Sequence, residues 1–377
     1  MFGLRAWGPP QDHTVSGISI ESSSLGWSMK VYVYDIPAAY NKRAVQKDPR
    51  CLNHMFATEI KIHTFLLKTK ARTLIPQEAD WFFTPIYTNC DLSETGLPLI
   101  SRVPHMMHGA IEYISTNWPH WNQSKGANHF FVVPHDFGAC FHFQEKAAIR
   151  RGIFPLLRQA TLVQTFGQIN HRCMKDNSII IPPYVPLARI LRHSLPPGTL
   201  RSIFAYFRGT VYDVRNDPQS GYYARGIRAA MWEAFKDNPL FDMSTDHPAT
   251  YYEDMWRSLF CLCPRGWAPW SPRIVEAVIL GCIPVIIADN IVLPFEDLIP
   301  WRKLAVFVKE RDVGMLESIL TSIPALQVKE KQGMLADPAI KRALLFPKVS
   351  MQGDAFQLMV SSLSKKQLSY IETVYRV

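Results

Sequence analysis

Residues 259–289 read LFCLCPRGWAPWSPRIVEAVILGCIPVIIAD. Leu259 to Cys263 is a short apolar run closed by Pro264. Pro264 to Pro272 holds three prolines, one glycine and two tryptophans, the composition of a shaped loop rather than a flexible one. Ser271 stands at an N-cap position and Pro272 suits the first helical position. The apolar pattern predicts a helix from there to about Leu280, with Gly281 where a left-handed C-cap is wanted. Ile283 to Ala288 is a run of apolar β-formers, expected of a parallel strand buried on both faces. The whole is a strand–loop–helix–strand unit.

Its edges carry chemistry. A helix N-terminus presents unpaired N–H groups and the positive end of the dipole, which suits a phosphate. Arg265 and Arg273 flank that end and can add forked donors to a diphosphate. Glu276, one turn further along, can accept hydrogen bonds from ribose hydroxyls. From spacing alone, Arg273 and Glu276 serve equally well as a surface i,i+3 pair.

FCLCPRGWAPWSPRIVEAVILGCIPVIIADNIVLPF resembles the donor-site signature of the exostosin-like glycosyltransferases, glycosyltransferase family 47. The wording is most similar to the plant irregular-xylem branch that makes xylan. The resemblance extends from KVYVYDIP at Lys30 through ADWFFTPIY, HFFVVPHDFGACFH, FAYFRG, YYARG and STDHPATYYEDM to about Asp354. It implies an α/β GT-B fold, in which two Rossmann-like domains face a cleft and a C-terminal helix crosses back. It also implies Golgi residence and inverting transfer of sugar from a UDP-sugar to a polysaccharide, most closely UDP-xylose to a β-1,4-xylan backbone. The alternatives are a UDP-glucuronate-dependent glucuronosyltransferase and a non-catalytic scaffold subunit of a xylan synthase complex.

At 377 residues the chain is long enough for two cored domains. The net charge of +9 raises nucleic acid as a partner. The basic residues are scattered with no run of five, which favours an anionic nucleotide sugar or a plain basic surface. No G-x-G-x-x-G after a strand, P-loop, H-E-x-x-H or G-x-S-x-G occurs. No Asp-x-Asp triplet occurs either, the nearest being Glu78-Ala-Asp80, so no metal site and no cofactor are expected, with helix dipole and arginines in the metal's place.

Residues 1–29 are polar and unpatterned and carry no apolar run of signal-peptide length. No stretch of about 18 apolar residues exists, so no membrane span is expected. The resembled family enters the secretory pathway through an N-terminal apolar segment, so a targeting segment is expected to be missing here; residence in the Golgi lumen, as a type II membrane protein or a soluble one, follows only from the resemblance. Of seven cysteines, the resemblance supports pairing Cys261 with Cys282, while Cys51–Cys90 and Cys140–Cys173 are suggested by spacing alone. Buried reduced thiols are the other reading. Asn122-Gln-Ser124 is one glycosylation sequon.

Strands and helices alternate through the first half, as in a mostly parallel sheet whose ligands bind beyond the carboxyl ends of the strands. Strands are expected at Val31–Tyr34, Trp81–Thr84, Phe130–Val133, Leu162–Phe166 and Ile179–Ile181, and helices near Asn53–Lys68, His105–Asn117 and Gln144–Arg151. His135 and Asp136 follow the strand in HFFVVP and are the catalytic candidates, since inverting transfer needs a base for the acceptor hydroxyl. The bland reading makes Asp136 a turn cap and His135 a packing residue beside Phe141 and His142; Glu59, His54 and Asp91 are lesser alternatives.

A proline cluster at 182–202 reads as the interdomain link. Ile203 to Phe207 then opens the second domain and ends at Arg208, facing the same diphosphate. A helix carrying Arg225 and Arg228 is expected from Tyr222 to Lys236, and an amphipathic helix over 354–375. Trp267 and Trp270 suit stacking on a sugar as well as plain packing. The expected domains are thus 1–29 as an N-terminal segment, 30–195 on the acceptor side, 196–350 on the nucleotide-sugar side, and 351–377 as the C-terminal helix. The expected partners are the UDP-sugar, a polysaccharide acceptor and other xylan synthase subunits, not nucleic acid.

Overall fold

The computed structural model describes residues 29–375, apart from 95, 142–149, 151–152, 194, 197, 215–216, 218 and 220. The expected N-terminal segment, His142 and nearly all of the expected Gln144–Arg151 helix lie outside the described residues. The chain divides into two compact units. Among the described residues, the C-terminal unit comprises Pro186–Ile291 and Glu296–Arg342; the N-terminal unit comprises residues 29–185, Val292–Phe295 and residues 343–375. These transitions compare with expected boundaries at 195/196 and 350/351. Each unit is α/β and Rossmann-like, built on one parallel sheet, the composition of the GT-B type.

In the N-terminal unit, β1 (Val31–Val33), β2 (Arg72–Thr73), β3 (Trp81–Phe83), β4 (His129–Val133), β5 (Thr161–Gln164) and β6 (Ile179–Ile180) are ordered β2-β1-β3-β4-β5-β6. Every pairing is parallel. β4 is buried along its whole length, which is why HFFVV shows no polar alternation. Helix Val103–Asn117 packs Met107, Ala110, Ile111 and Ile114 into the core beside Phe82 and Phe131. The helix expected from Asn53 is shorter, Thr58–Leu66, because Pro49–Asn53 forms a separate 3-10 turn and His54 is extended. Disulfides join Cys51 to Cys90 and Cys140 to Cys173. The last helix, Ala355–Tyr375, belongs to this unit, with Phe356 stacked on Phe65 at 4.6 Å. Among the described residues no helix is long and apolar enough to cross a membrane.

In the C-terminal unit, β7 (Ile203–Arg208), β8 (Phe241–Ser244), β9 (Ser258–Pro264), β10 (Ile283–Ile287) and β11 (Val306–Val308) are ordered β11-β10-β9-β7-β8, all parallel. The order reverses between β7 and β9, so the topological switch point opens where Arg208 and Pro264 end those strands. Helix Pro272–Leu280 follows β9 and is buried from Arg273 to Leu280, as its apolar sequence requires. It stops in a Schellman arrangement: Gly281 is left-handed, its N–H reaches the Val278 carbonyl, and the Cys282 N–H reaches Ala277. Arg201 caps the same end, donating to Leu280, Trp256 and Ser258 carbonyls. A disulfide joins Cys261 in β9 to Cys282, and Cys263 is a buried free thiol.

The helix expected over Tyr222–Lys236 is corrected to Ile227–Phe235. Asp217 captures the N–H groups of Gly221, Tyr222 and Tyr223, and Ala224, Arg225 and Gly226 are all left-handed, so the first turns cannot be α-helical.

Candidate active site

At the C-terminal edge of β7 and β9, two arginines pack over Phe207. The Arg273 guanidinium lies 4.7 Å over the Phe207 ring and that of Arg228 5.6 Å over it. Arg273 Nη2 donates to the Arg208 carbonyl. At Gly209 a Cβ would stand 2.8 Å from Arg273 Nη2, so a side chain there would push that guanidinium aside.

The arginines differ in what remains for a ligand. Arg208 donates to Asp242 Oδ1 at 2.7 Å and to the Asp242 and Phe207 carbonyls, so its fork is turned to β8. Arg265 is 2% exposed and donates to Glu310 Oε1 at 2.8 Å. That carboxylate also accepts from the Asp289 N–H, which ties the ends of β9, β10 and β11 together. Burial pushes the Arg265 pKa down, and Glu310 opposes that shift. Arg228 spends its donors on the Arg265 and Thr210 carbonyls and the Tyr223 hydroxyl. Arg265 also keeps one buried donor, Nε, without a partner, and Arg273 keeps more: beside the Tyr251 hydroxyl, its Nε and Nη1 are both buried without a well-formed hydrogen bond.

Ser271 takes the extended backbone of an N-cap, but its side chain makes no cap bond and its Oγ is buried without a partner. The first turn of helix Pro272–Leu280, in which Pro272 has no N–H and that of Ile274 goes to the Ser271 carbonyl, therefore presents its remaining N–H groups, an unused hydroxyl and the unbonded Nε and Nη1 of Arg273. This is the donor set a diphosphate requires, and unpaired buried donors cost enough that a ligand's oxygens would be strongly favoured there.

Glu276, 8% exposed, accepts from the Tyr251 hydroxyl at Oε2 (2.9 Å) and the Tyr252 hydroxyl at Oε1 (3.3 Å). Both Arg273 and Glu276 are buried, so they are no surface pair. Burial raises the Glu276 pKa, against the Tyr251 hydrogen bond and the Arg273 charge, which lower it. Trp267 is half-buried and donates to Asp213 Oδ2 at 3.0 Å; Trp270 is buried.

In the N-terminal unit, His135 and Asp136 leave the C-terminal end of β4. The Phe137 N–H donates to His135 Nδ1 at 3.2 Å, and the Gly138 N–H to the His135 carbonyl. A neutral imidazole bonded this way carries its proton on Nε2 and acts as a donor there. His135 thus satisfies both turn amides, and Asp136 beside it is half-buried. Glu59 is sealed in: its carboxylate accepts from Thr88 N and Oγ1 and from Asn89 N, and burial pushes its pKa up to about 8 against those bonds. It clamps the loop after β3. His54 accepts from the Phe56 N–H, and Asp91 pairs with Lys47 and Arg102. Asp80 of the Glu78-Ala-Asp80 triplet accepts from the Lys30 N–H and from Gln367. Asn122 is exposed, with its Nδ2 on the Ser115 carbonyl.

Ser271, Arg228, Tyr251 and Tyr252 were not assigned site roles from the sequence. A doubled tyrosine opening a helix just before the donor strand was the available signal for the last two.

The exostosin GT47 domain pattern matches residues 26–323. A rice (Oryza sativa subsp. japonica) protein named "probable glucuronosyltransferase" is 60% identical over 99% of this chain and 91% of its own length. An Arabidopsis thaliana protein named "probable beta-1,4-xylosyltransferase IRX10" is 61% identical over 96% of this chain and 87% of its own length. Among solved structures, AviGT4, a glycosyltransferase involved in avilamycin A biosynthesis, is similar with a TM-score of 0.39 at 12% identity, covering 90% of this chain and 98% of that one.

Proposed function

Since the chain belongs to the exostosin GT47 family of glycosyltransferases, we propose that it transfers xylose from UDP-xylose to the non-reducing end of a β-1,4-xylan chain, with inversion and without a metal. The observation that carries the donor half is the unused donor set of Ser271, Arg273 and the helix N-terminus at the switch point. Arg273 and the first-turn N–H groups hold the diphosphate; Glu276 takes the ribose hydroxyls. Arg208 and Arg265 act mainly by neutralising Asp242 and Glu310, which keeps those carboxylates from repelling the diphosphate. Xylose as the sugar rests on relatives such as the Arabidopsis protein. The glucuronate reading rests on the rice relative, which is equally similar.

The reaction needs three acts from the chain. The Asp136 carboxylate takes the proton of the acceptor hydroxyl. The freed oxygen bonds to the sugar's anomeric carbon as the bond to the β-phosphate oxygen breaks. The charge that develops on the UDP oxygen falls on Arg273 and the helix N-terminus, preorganised and shielded from water. His135, holding the turn amides, keeps Asp136 in place.

Glu276→Ala is expected to weaken UDP binding about tenfold or more, measured by calorimetry, with the chain still folded though less stable because the Tyr251 and Tyr252 hydroxyls lose their acceptor. Undiminished affinity would remove Glu276 from the ribose. Three disulfides and an exposed sequon support maturation in the secretory pathway on the way to the Golgi. A mass shift on deglycosylation, absent in Asn122→Gln, checks that route; an unglycosylated chain in plant cells would count against it.

A further inference from the structure

We propose that Tyr251 and Tyr252 are positioning residues for nucleotide binding: their two hydroxyls hold the Glu276 carboxylate in its ribose-binding orientation. This deepens the donor-site reading and rests on it.

Glu276 projects from helix Pro272–Leu280, where its neighbours along the helix are apolar apart from Arg273, one of whose nitrogens is spent on the Arg208 carbonyl. Alone, a buried carboxylate would protonate or swing toward solvent. Helix Tyr251–Trp256 prevents both by aiming two consecutive hydroxyls at it, one on each oxygen. The two rings lie edge to face, with centroids 5.0 Å apart, which separates the hydroxyls enough to straddle one carboxylate. Tyr251 is held in turn, since the Tyr206 hydroxyl of β7 donates to its carbonyl at 3.1 Å. A carboxylate has about four acceptor directions. The two tyrosines take two and leave two for ribose hydroxyls, so the clamp and the ligand do not compete.

The charged and titratable groups facing Glu276 are Tyr251 and Tyr252 from their helix, Arg273 from its own, Arg189 from helix Leu187–Leu191 and Cys263 from β9. Tyr251, Arg273, Tyr252 and Arg189 lower the Glu276 pKa, against burial. Removing a tyrosine hydroxyl therefore raises it. UDP affinity is full above the Glu276 pKa and falls as pH drops through it, so losing the clamp moves that fall to higher pH. His247 packs on the Tyr251 ring at 5.2 Å, and burial and the Arg273 charge push its pKa down; Glu276→Gln, which lacks the Glu276 limb but keeps His247, separates the two.

The test measures UDP dissociation constants from pH 5.5 to 8.5 for the whole chain, Tyr251→Phe, Tyr252→Phe, Glu276→Gln and Glu276→Ala. The expected result is about a tenfold loss of affinity at the acid end for each Phe variant, converging on the parent at the alkaline end, with kcat at saturating donor unchanged. Should Tyr251→Phe fail to fold, Tyr252→Phe tests the same clamp from the other oxygen. Phe variants that track the parent at every pH, while Glu276→Ala binds UDP weakly, would overturn the clamp and leave the donor reading standing. Unchanged affinity in Glu276→Ala would overturn both.

Discussion

Asp136→Asn is expected to lower turnover about 10²- to 10⁴-fold, the usual loss when a positioned general base is removed. UDP affinity should stay at the parent's level, because Asp136 lies in the N-terminal unit and the proposed diphosphate site in the C-terminal one. The substitution is nearly isosteric. The amides that follow are satisfied by His135, not by the carboxylate under test, so the turn should persist. Single-turnover kinetics beside calorimetry check the split. Near-normal turnover would put the base elsewhere. Glu59 is a poor substitute, since it is sealed beneath three hydrogen bonds.

Arg273→Ala should have the next largest effect, a rise in the UDP dissociation constant of about 100-fold, in the range seen when a buried charged partner is truncated. Arg273→Lys should recover little of it. An ammonium cannot place two N–H groups on one diphosphate while keeping a third on the Arg208 carbonyl and a flat face on Phe207. The fold should survive, because no carboxylate depends on Arg273 in the way Glu310 depends on Arg265. Equal UDP binding by the alanine variant would sink the metal-free diphosphate site.

The donor unit was legible because every one of its signals is local. An apolar run, a proline, a glycine and a second apolar run mark β9, helix Pro272–Leu280 and β10 within a residue or two. Edge strand β6 was legible at Ile179–Ile181, but two others were not: β2 has two residues, and β8, FDMS, is buried only at Phe241. Helix Ile227–Phe235 was drawn too long because Asp217 acts on amides four to six residues away, a bond no periodicity records. The arginine roles failed to resolve for the same reason on a larger scale. Asp242 and Glu310, which occupy Arg208 and Arg265, are 34 and 45 residues distant in the chain, and Tyr251 stands 25 residues before Glu276. Residue type and spacing identified which groups face the switch point; only the fold shows which of them still have donors to give.

The most direct test of metal-independent xylosyl transfer is extension of a labelled xylo-oligosaccharide by the purified chain, with UDP-xylose, UDP-glucuronate or UDP-galactose offered separately, with and without EDTA. A ladder formed from UDP-xylose alone and undiminished by EDTA is the predicted result. A ladder that EDTA abolishes, product only from UDP-glucuronate, or no product from any donor despite measurable UDP binding would contradict it.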